Sequence, residues 1–178
     1  MLRERKLNRL SGYDYSDFGY YFVTICTQNR ELFFGDVENQ RMILNEFGKI
    51  ADKCWRDLPN HYWNCKLDEF VIMPNHVHGI IVIDNDTENG FRFCVGNGLK
   101  PFPTNKNKYS LSEMMRGFKT FSSHRINKTQ NIIFRFQWQK SFYDRIIRNN
   151  SELYRIRNYI INNPLKWDFD RNNPDNLL

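Results

Sequence analysis

Cysteine is sparse in this chain. Cys26, Cys54, Cys65 and Cys94 are scattered, with no C-x-x-C pair and no histidine beside them at zinc-finger spacing. That argues against a disulfide framework, which a chain of 178 residues does not need. Long hydrophobic runs are also missing. No apolar stretch approaches membrane-spanning length, and the opening MLRERKLNRL lacks the apolar core of a secretory signal, so the expected location is the cytoplasm. Acidic residues are outnumbered: 26 Lys and Arg against 20 Asp and Glu leave a formal charge of +6. With aromatics at 16%, that surplus suits either a protein that binds a polyanion such as nucleic acid or an ordinary basic enzyme.

There is no internal repeat, and the length suits a single domain over residues 1–178. Residues 1–12 read as a basic arm carrying Arg3, Arg5, Lys6 and Arg9. GYYFVTICTQN (19–29) has the aromatic and β-branched content of a strand. From Gly35 to Leu58, apolar residues at helical spacing predict one amphipathic helix ended by Pro59. Strands are predicted over Lys66–Met73 and His76–Ile83, hinged at Pro74-Asn75. Residues 84–108, rich in Asn, Gly, Lys and Pro, read as an insertion loop. A helix is predicted over 110–127, a strand over 131–139, and a last helix capped by Asn150 or Ser151 and stopped by Pro164. Residues 168–178 read as a tail. The order strand, helix, strand, strand, helix, strand predicts an α+β, ferredoxin-like antiparallel sheet with helices on one face, followed by a further helix.

The unusual feature is EFVIMPNHVHGIIVI, Glu69–Ile83, where two imidazoles interrupt an apolar strand. Residues i and i+2 of a strand share a face, so His76 and His78 are neighbours, continued by Ile80 and Val82. Each reads either as a hydrogen-bonded core histidine or as half of a pair converging on a cation. Two ligands are too few for a closed zinc site, so a metal here would need a third ligand from elsewhere. On the last helix, Leu153, Ile156 and Ile160 form the apolar stripe, while Tyr159 and Asn163 lie one turn apart at its edge. They read either as a boundary residue and a helix cap, or as a nucleophile and an oxygen ligand.

MPNHVHGIIVI on a strand and YIINNP on a late helix resemble the HUH-type single-tyrosine transposases. Within these, the chain most resembles the REP-associated tyrosine transposases of bacteria, and the likeness covers most of it. It runs through NRLSGYDYSDFGYYFVTICTQNRELFFGDV, LDEFVIMPNHVHGIIVI, MMRGFKTFSSHRIN and WQKSFYDRIIRNNSELYRIRNYIINNPLKW. The resemblance implies a metal-dependent endonuclease and strand transferase that cleaves and rejoins single-stranded DNA at repeat hairpins. It implies Mg²⁺ or Mn²⁺ held by His76, His78 and Asn163, with Tyr159 forming a 5′-phosphotyrosine link. A hairpin-binding protein without cleavage is the alternative. Where relatives often carry a histidine, this chain has Arg145, which is suited to phosphate rather than to proton transfer. Phosphate contacts are expected from Arg3, Arg5, Lys6, Arg9, Arg116, Lys119, Arg125, Lys128, Arg145, Arg148 and Arg155. The aromatic and cationic residues of WQKSFYDR suit base stacking. Both a monomer and a homodimer are compatible with the sequence.

Overall fold

Four strands carry the molecule: β1 (Gly19–Cys26), β4 (Cys65–Met73), β5 (His76–Ile83) and β6 (Tyr143–Ile147). They form one antiparallel sheet in the order β4-β5-β1-β6. The computed structural model describes residues 10, 12–86, 108–129 and 135–177. The basic arm 1–9 and most of the expected insertion loop (87–107) lie outside the described residues.

One face of the sheet is covered by α1 (Glu46–Arg56) and α3 (Leu111–Thr129). Tyr21, Val23 and Ile25 of β1 and Val77, Ile81 and Ile83 of β5 meet Trp55 of α1 and Met114, Met115 and Phe118 of α3 there. The opposite face takes α4 (Asn150–Ile161), whose Leu153, Ile156 and Ile160 pack on Phe22, Ile80 and Ile147. β5 is therefore covered on both sides and buried along its whole length, which is why its sequence is continuously apolar rather than alternating. The expected ferredoxin-like sheet, with two helices on one face and a further helix, is the observed fold.

Three local expectations are corrected. The single helix over Gly35–Leu58 divides into β2 (Gly35–Glu38), β3 (Arg41–Leu44), α1 and a short α2 (Leu58–His61). Asn39 and Gln40 take φ of 48° and 64°, the left-handed pair that turns a two-residue hairpin, and Asn45 then caps α1 by accepting from the Gly48 N–H. Apolar spacing was satisfied by both arrangements, but two consecutive left-handed residues cannot continue a helix. The strand over 131–139 is not formed at residues 135–139 beyond one bridge between Trp138 and Thr27, and residues 131–134 lie outside the described set. The edge strand is β6, a few residues later. The cap of α4 is Asn149, not Asn150 or Ser151: its side chain accepts from the Glu152 N–H.

α4 is also tied to the sheet by charge. β4 shifts register between Leu67 and Phe70, and Arg157 of α4 grips Asp68 in that bulge through a two-pronged contact, Nε–Oδ1 2.8 Å and Nη2–Oδ2 2.5 Å. Apolar packing and this fork together set the rotation of α4 above β5.

Candidate active site

The antiparallel register places Cys26 opposite His76 and Thr24 opposite His78. Both imidazoles project to the α4 face, with ring centroids 4.4 Å apart, and both are almost fully buried. Each has a partner for its Nδ1. His76 Nδ1 lies 2.8 Å from Asn75 Oδ1, and His78 Nδ1 lies 2.8 Å from Thr24 Oγ1.

Asn75 determines the tautomer of His76. Its Nδ2 donates to two carbonyl oxygens, Arg30 O at 3.0 Å and Asn172 O at 2.7 Å. Oδ1 is then an acceptor, so His76 Nδ1 carries the proton and Nε2 the lone pair. That Nε2 is buried with no hydrogen-bond partner, and so is Asn163 Oδ1. Buried acceptors without donors are costly, and the Asn163 side chain interacts with the His76 ring, so the pair fits a bound cation. Burial pushes the His76 pKa down to about 4, and burial together with neighbouring His76 pushes that of His78 well down. Both rings are therefore neutral near pH 7, the form that ligates a metal.

α4 brings Tyr159 to the same place. Its hydroxyl lies 3.1 Å from His78 Nε2, and its ring meets Phe22 edge to face at 6.0 Å, while Phe22 stacks on His78. The phenol is 40% exposed, open to a substrate from outside. Burial, and secondarily the charge of Asp170, raise its pKa above the ordinary phenol value, so the site does not by itself favour phenolate. Asn163 sits just past the end of α4, with Asn162 as the C-cap, and is 1% exposed. The sheet and α4 thus bring His76, His78, Tyr159 and Asn163 together. Tyr154 faces away, 69% exposed.

Sequence reasoning missed Asp170. Ligand atoms of His76, His78 and Asp170 all lie within 4.8 Å of one another, a group able to hold a metal ion. Asp170 belongs to the expected tail, which instead folds back over the site. A 3-10 helix (Pro164–Phe169) is followed by the buried Asp170, Asn172 and Asn173. No periodicity marks such a segment; its density of Asn and Asp, residues that close turns with their own side chains, was the one available signal.

The expected DNA contacts divide. Arg116, Lys128 and Arg148 are exposed. Lys119 does not reach outward: its Nζ donates to Gln139 O and Lys140 O, both at 2.9 Å, and pins the segment leading to β6. Arg125 leans on Cys54 and Asp57. Arg145 holds Glu152 through Nε at 2.7 Å, and Arg155 lies 3.9 Å from the same carboxylate with its side chain 72% exposed. Arg3, Arg5, Lys6 and Arg9 lie outside the described residues.

Residues 103–163, spanning α3, β6 and α4, match the family model for IS200-like transposases. A Haemophilus influenzae protein of uncharacterized function is 34% identical over 170 residues, covering 96% of this chain and 93% of its own length. The chain belongs to the IS200-like transposase family. Among solved structures, a REP-associated tyrosine transposase bound to a REP hairpin shares the fold, with a TM-score of 0.58 at 16% identity over 93% of this chain and 77% of that one. The family match ends at Asn163, so it includes Tyr159, while the histidine pair lies upstream of it. Membership gives a transposase-type function on DNA. No helix among the described residues is long and apolar enough to cross a membrane.

Proposed function

We propose that this IS200-like transposase is a metal-dependent endonuclease and strand transferase. It cleaves and rejoins single-stranded DNA at repeat hairpins through a 5′-phosphotyrosine intermediate, and Tyr159 is its nucleophile. The observation carrying this reading is the approach of the Tyr159 hydroxyl to His78 beside the buried, partnerless Nε2 of His76.

His76, His78 and Asn163 would hold the ion, Mg²⁺ or Mn²⁺. When bound, it offsets negative charge at the scissile phosphate and favours the phenolate. Asn75 holds His76 in the tautomer that presents Nε2, and Thr24 holds the His78 ring by its Nδ1, leaving Nε2 toward the site. The Tyr159 hydroxyl stands beside His78 Nε2, so an ion taken up by that nitrogen would lie next to the phenol, and Phe22 fixes the tyrosine ring. Tyr159 Oη forms a bond to phosphorus as the bond from phosphorus to the 3′ oxygen breaks. The phenolic proton passes to water, and the departing 3′ oxygen takes a proton from water. The phosphotyrosine diester conserves the bond, so attack by another 3′-hydroxyl rejoins strands without an energy cofactor. Exposed Arg116, Lys128, Arg148 and Arg155 contact phosphates, together with Arg3, Arg5, Lys6 and Arg9 of the arm, and exposed Tyr143 offers a ring for an unpaired base.

A hairpin oligonucleotide with single-stranded flanks, incubated with Mn²⁺, is expected to give a denaturant-stable adduct. Its tryptic peptide should carry DNA on Tyr159. Tyr159→Phe should abolish the adduct, and Tyr154→Phe and Tyr143→Phe should retain it. An adduct persisting in Tyr159→Phe refutes the assignment. Salt-sensitive hairpin binding without any adduct, indifferent to His76→Ala, would instead make the chain a hairpin-binding protein.

A further inference from the structure

We propose that Asp170 is a ligand of the metal centre, so that cation binding and docking of the segment 164–173 are one linked equilibrium. This rests on the reading of His76 and His78 as the metal ligands of the strand.

Asp170 is 8% exposed, and its carboxylate shares one neighbourhood with the two imidazoles. Two donors orient it: the Asn172 N–H reaches Oδ1 at 2.6 Å and the Asn163 amide reaches Oδ2 at 3.3 Å. With its NH₂ turned to Asp170, Asn163 leaves Oδ1 buried and without a hydrogen-bond partner. Two neutral imidazoles and one carboxylate form a donor set with a hard, charged oxygen, which favours Mg²⁺ or Mn²⁺ more than a set of neutral groups does.

The segment carrying Asp170 has few buried apolar side chains to hold it. None of Pro164–Phe169 is buried, and Phe169 is 89% exposed. Trp167 sets its ring 6.0 Å from that of His76, and polar ties converge on the same site: Asn75 Nδ2 donates to Asn172 O, and Arg30 Nη1 donates to Arg171 O at 2.8 Å. A segment with few buried apolar side chains opens at low cost, so a cation bound to Asp170 closes it. Linkage is reciprocal: the closed segment raises cation affinity by the same factor.

The test titrates Mn²⁺ into the full chain by electron paramagnetic resonance and follows amide hydrogen exchange with and without Mn²⁺. Asp170→Asn keeps an acceptor for the Asn172 N–H, and should weaken Mn²⁺ binding by at least about tenfold. In the wild type, Mn²⁺ should slow exchange at Arg171–Asn173, and in Asp170→Asn it should not. Wild-type exchange across 164–173 that ignores bound Mn²⁺ overturns the proposal without need of a variant. So does an unchanged affinity in Asp170→Asn while His76→Ala abolishes binding, a result that leaves the strand histidines as ligands. Binding that survives His76→Ala defeats the underlying reading, and this inference with it.

Discussion

His76 Nδ1 donates to Asn75 Oδ1 across 2.8 Å, and the Asn75 amide is itself oriented by the carbonyls of Arg30 and Asn172. Asn75→Ala removes the group that fixes the His76 tautomer and opens two buried hydrogen bonds and a third that is partly buried. Mn²⁺ affinity is expected to fall by about 10–100-fold, as for other groups that orient a ligating histidine. Stability is expected to fall by about 1–3 kcal/mol. Mn²⁺ titration and urea unfolding read the two effects separately. Unchanged Mn²⁺ affinity would remove Asn75 from the site.

Thr24 stands opposite His78 in the sheet and is the partner of its Nδ1. Thr24→Val keeps the shape and loses the hydroxyl that holds the His78 ring by Nδ1, opposite the atom facing Tyr159. Strand cleavage is expected to drop at least about tenfold, with Thr24→Ser restoring much of it. Full activity in Thr24→Val would show that the hydroxyl does not position the His78 ring.

Asp68 and Arg157 join β4 to α4, and the Arg157 fork holds the Asp68 carboxyl below the usual carboxylate range. A group whose pKa is lowered by folding stabilises the folded chain above its unfolded value, near about 4, and loses that contribution as pH falls through the folded value. Asp68→Asn is expected to cost about 1 kcal/mol at pH 7, where the pair is partly solvent-screened. The gap between variant and wild type should close as pH drops below about 4. Urea unfolding at pH 7 and pH 3 checks it; a gap independent of pH would mean that the charge is not the cause.

Gly79 lies on β5 between the two histidine-face residues His78 and Ile80. A Cβ there would stand 2.4 Å from Trp55 Cζ2 and 3.0 Å from Phe70 Cβ. Trp55 is fully buried and cannot swing away. Gly79→Ala is expected to destabilise the fold by about 1–3 kcal/mol, with the melting temperature as readout. Thermal unfolding equal to wild type would show that the α1 face is looser than its packing implies.

Much of this site was legible before any coordinates. The period-two spacing of His76 and His78 is a property of the extended backbone, so their shared face followed from residue numbers alone. The place of Tyr159 beside the stripe of Leu153, Ile156 and Ile160 likewise follows from helical pitch, whereas Asn163, read as one turn further along the same helix, lies just past its end. The hairpin at Gly35–Leu44 was not legible, because an apolar pattern compatible with a helix is also compatible with a short two-stranded ribbon. What separates them is a pair of left-handed residues at Asn39 and Gln40, not the pattern.

By itself, the sequence determined which side chains share a face, which face each element must bury, and that an antiparallel sheet with crossing helices would result. These follow from local backbone periodicity and the need to remove apolar surface from water. The tertiary structure alone decided that Tyr159 meets His78, that Asn75 sets the tautomer of His76, and that Asp170 returns from beyond the last long helix to the same point. Those relations depend on the register of β1 against β5, on the rotation of α4 fixed by Arg157 and Asp68, and on a turn held by polar side chains. Each is a contact between residues distant in sequence, and short-range periodicity carries no record of it.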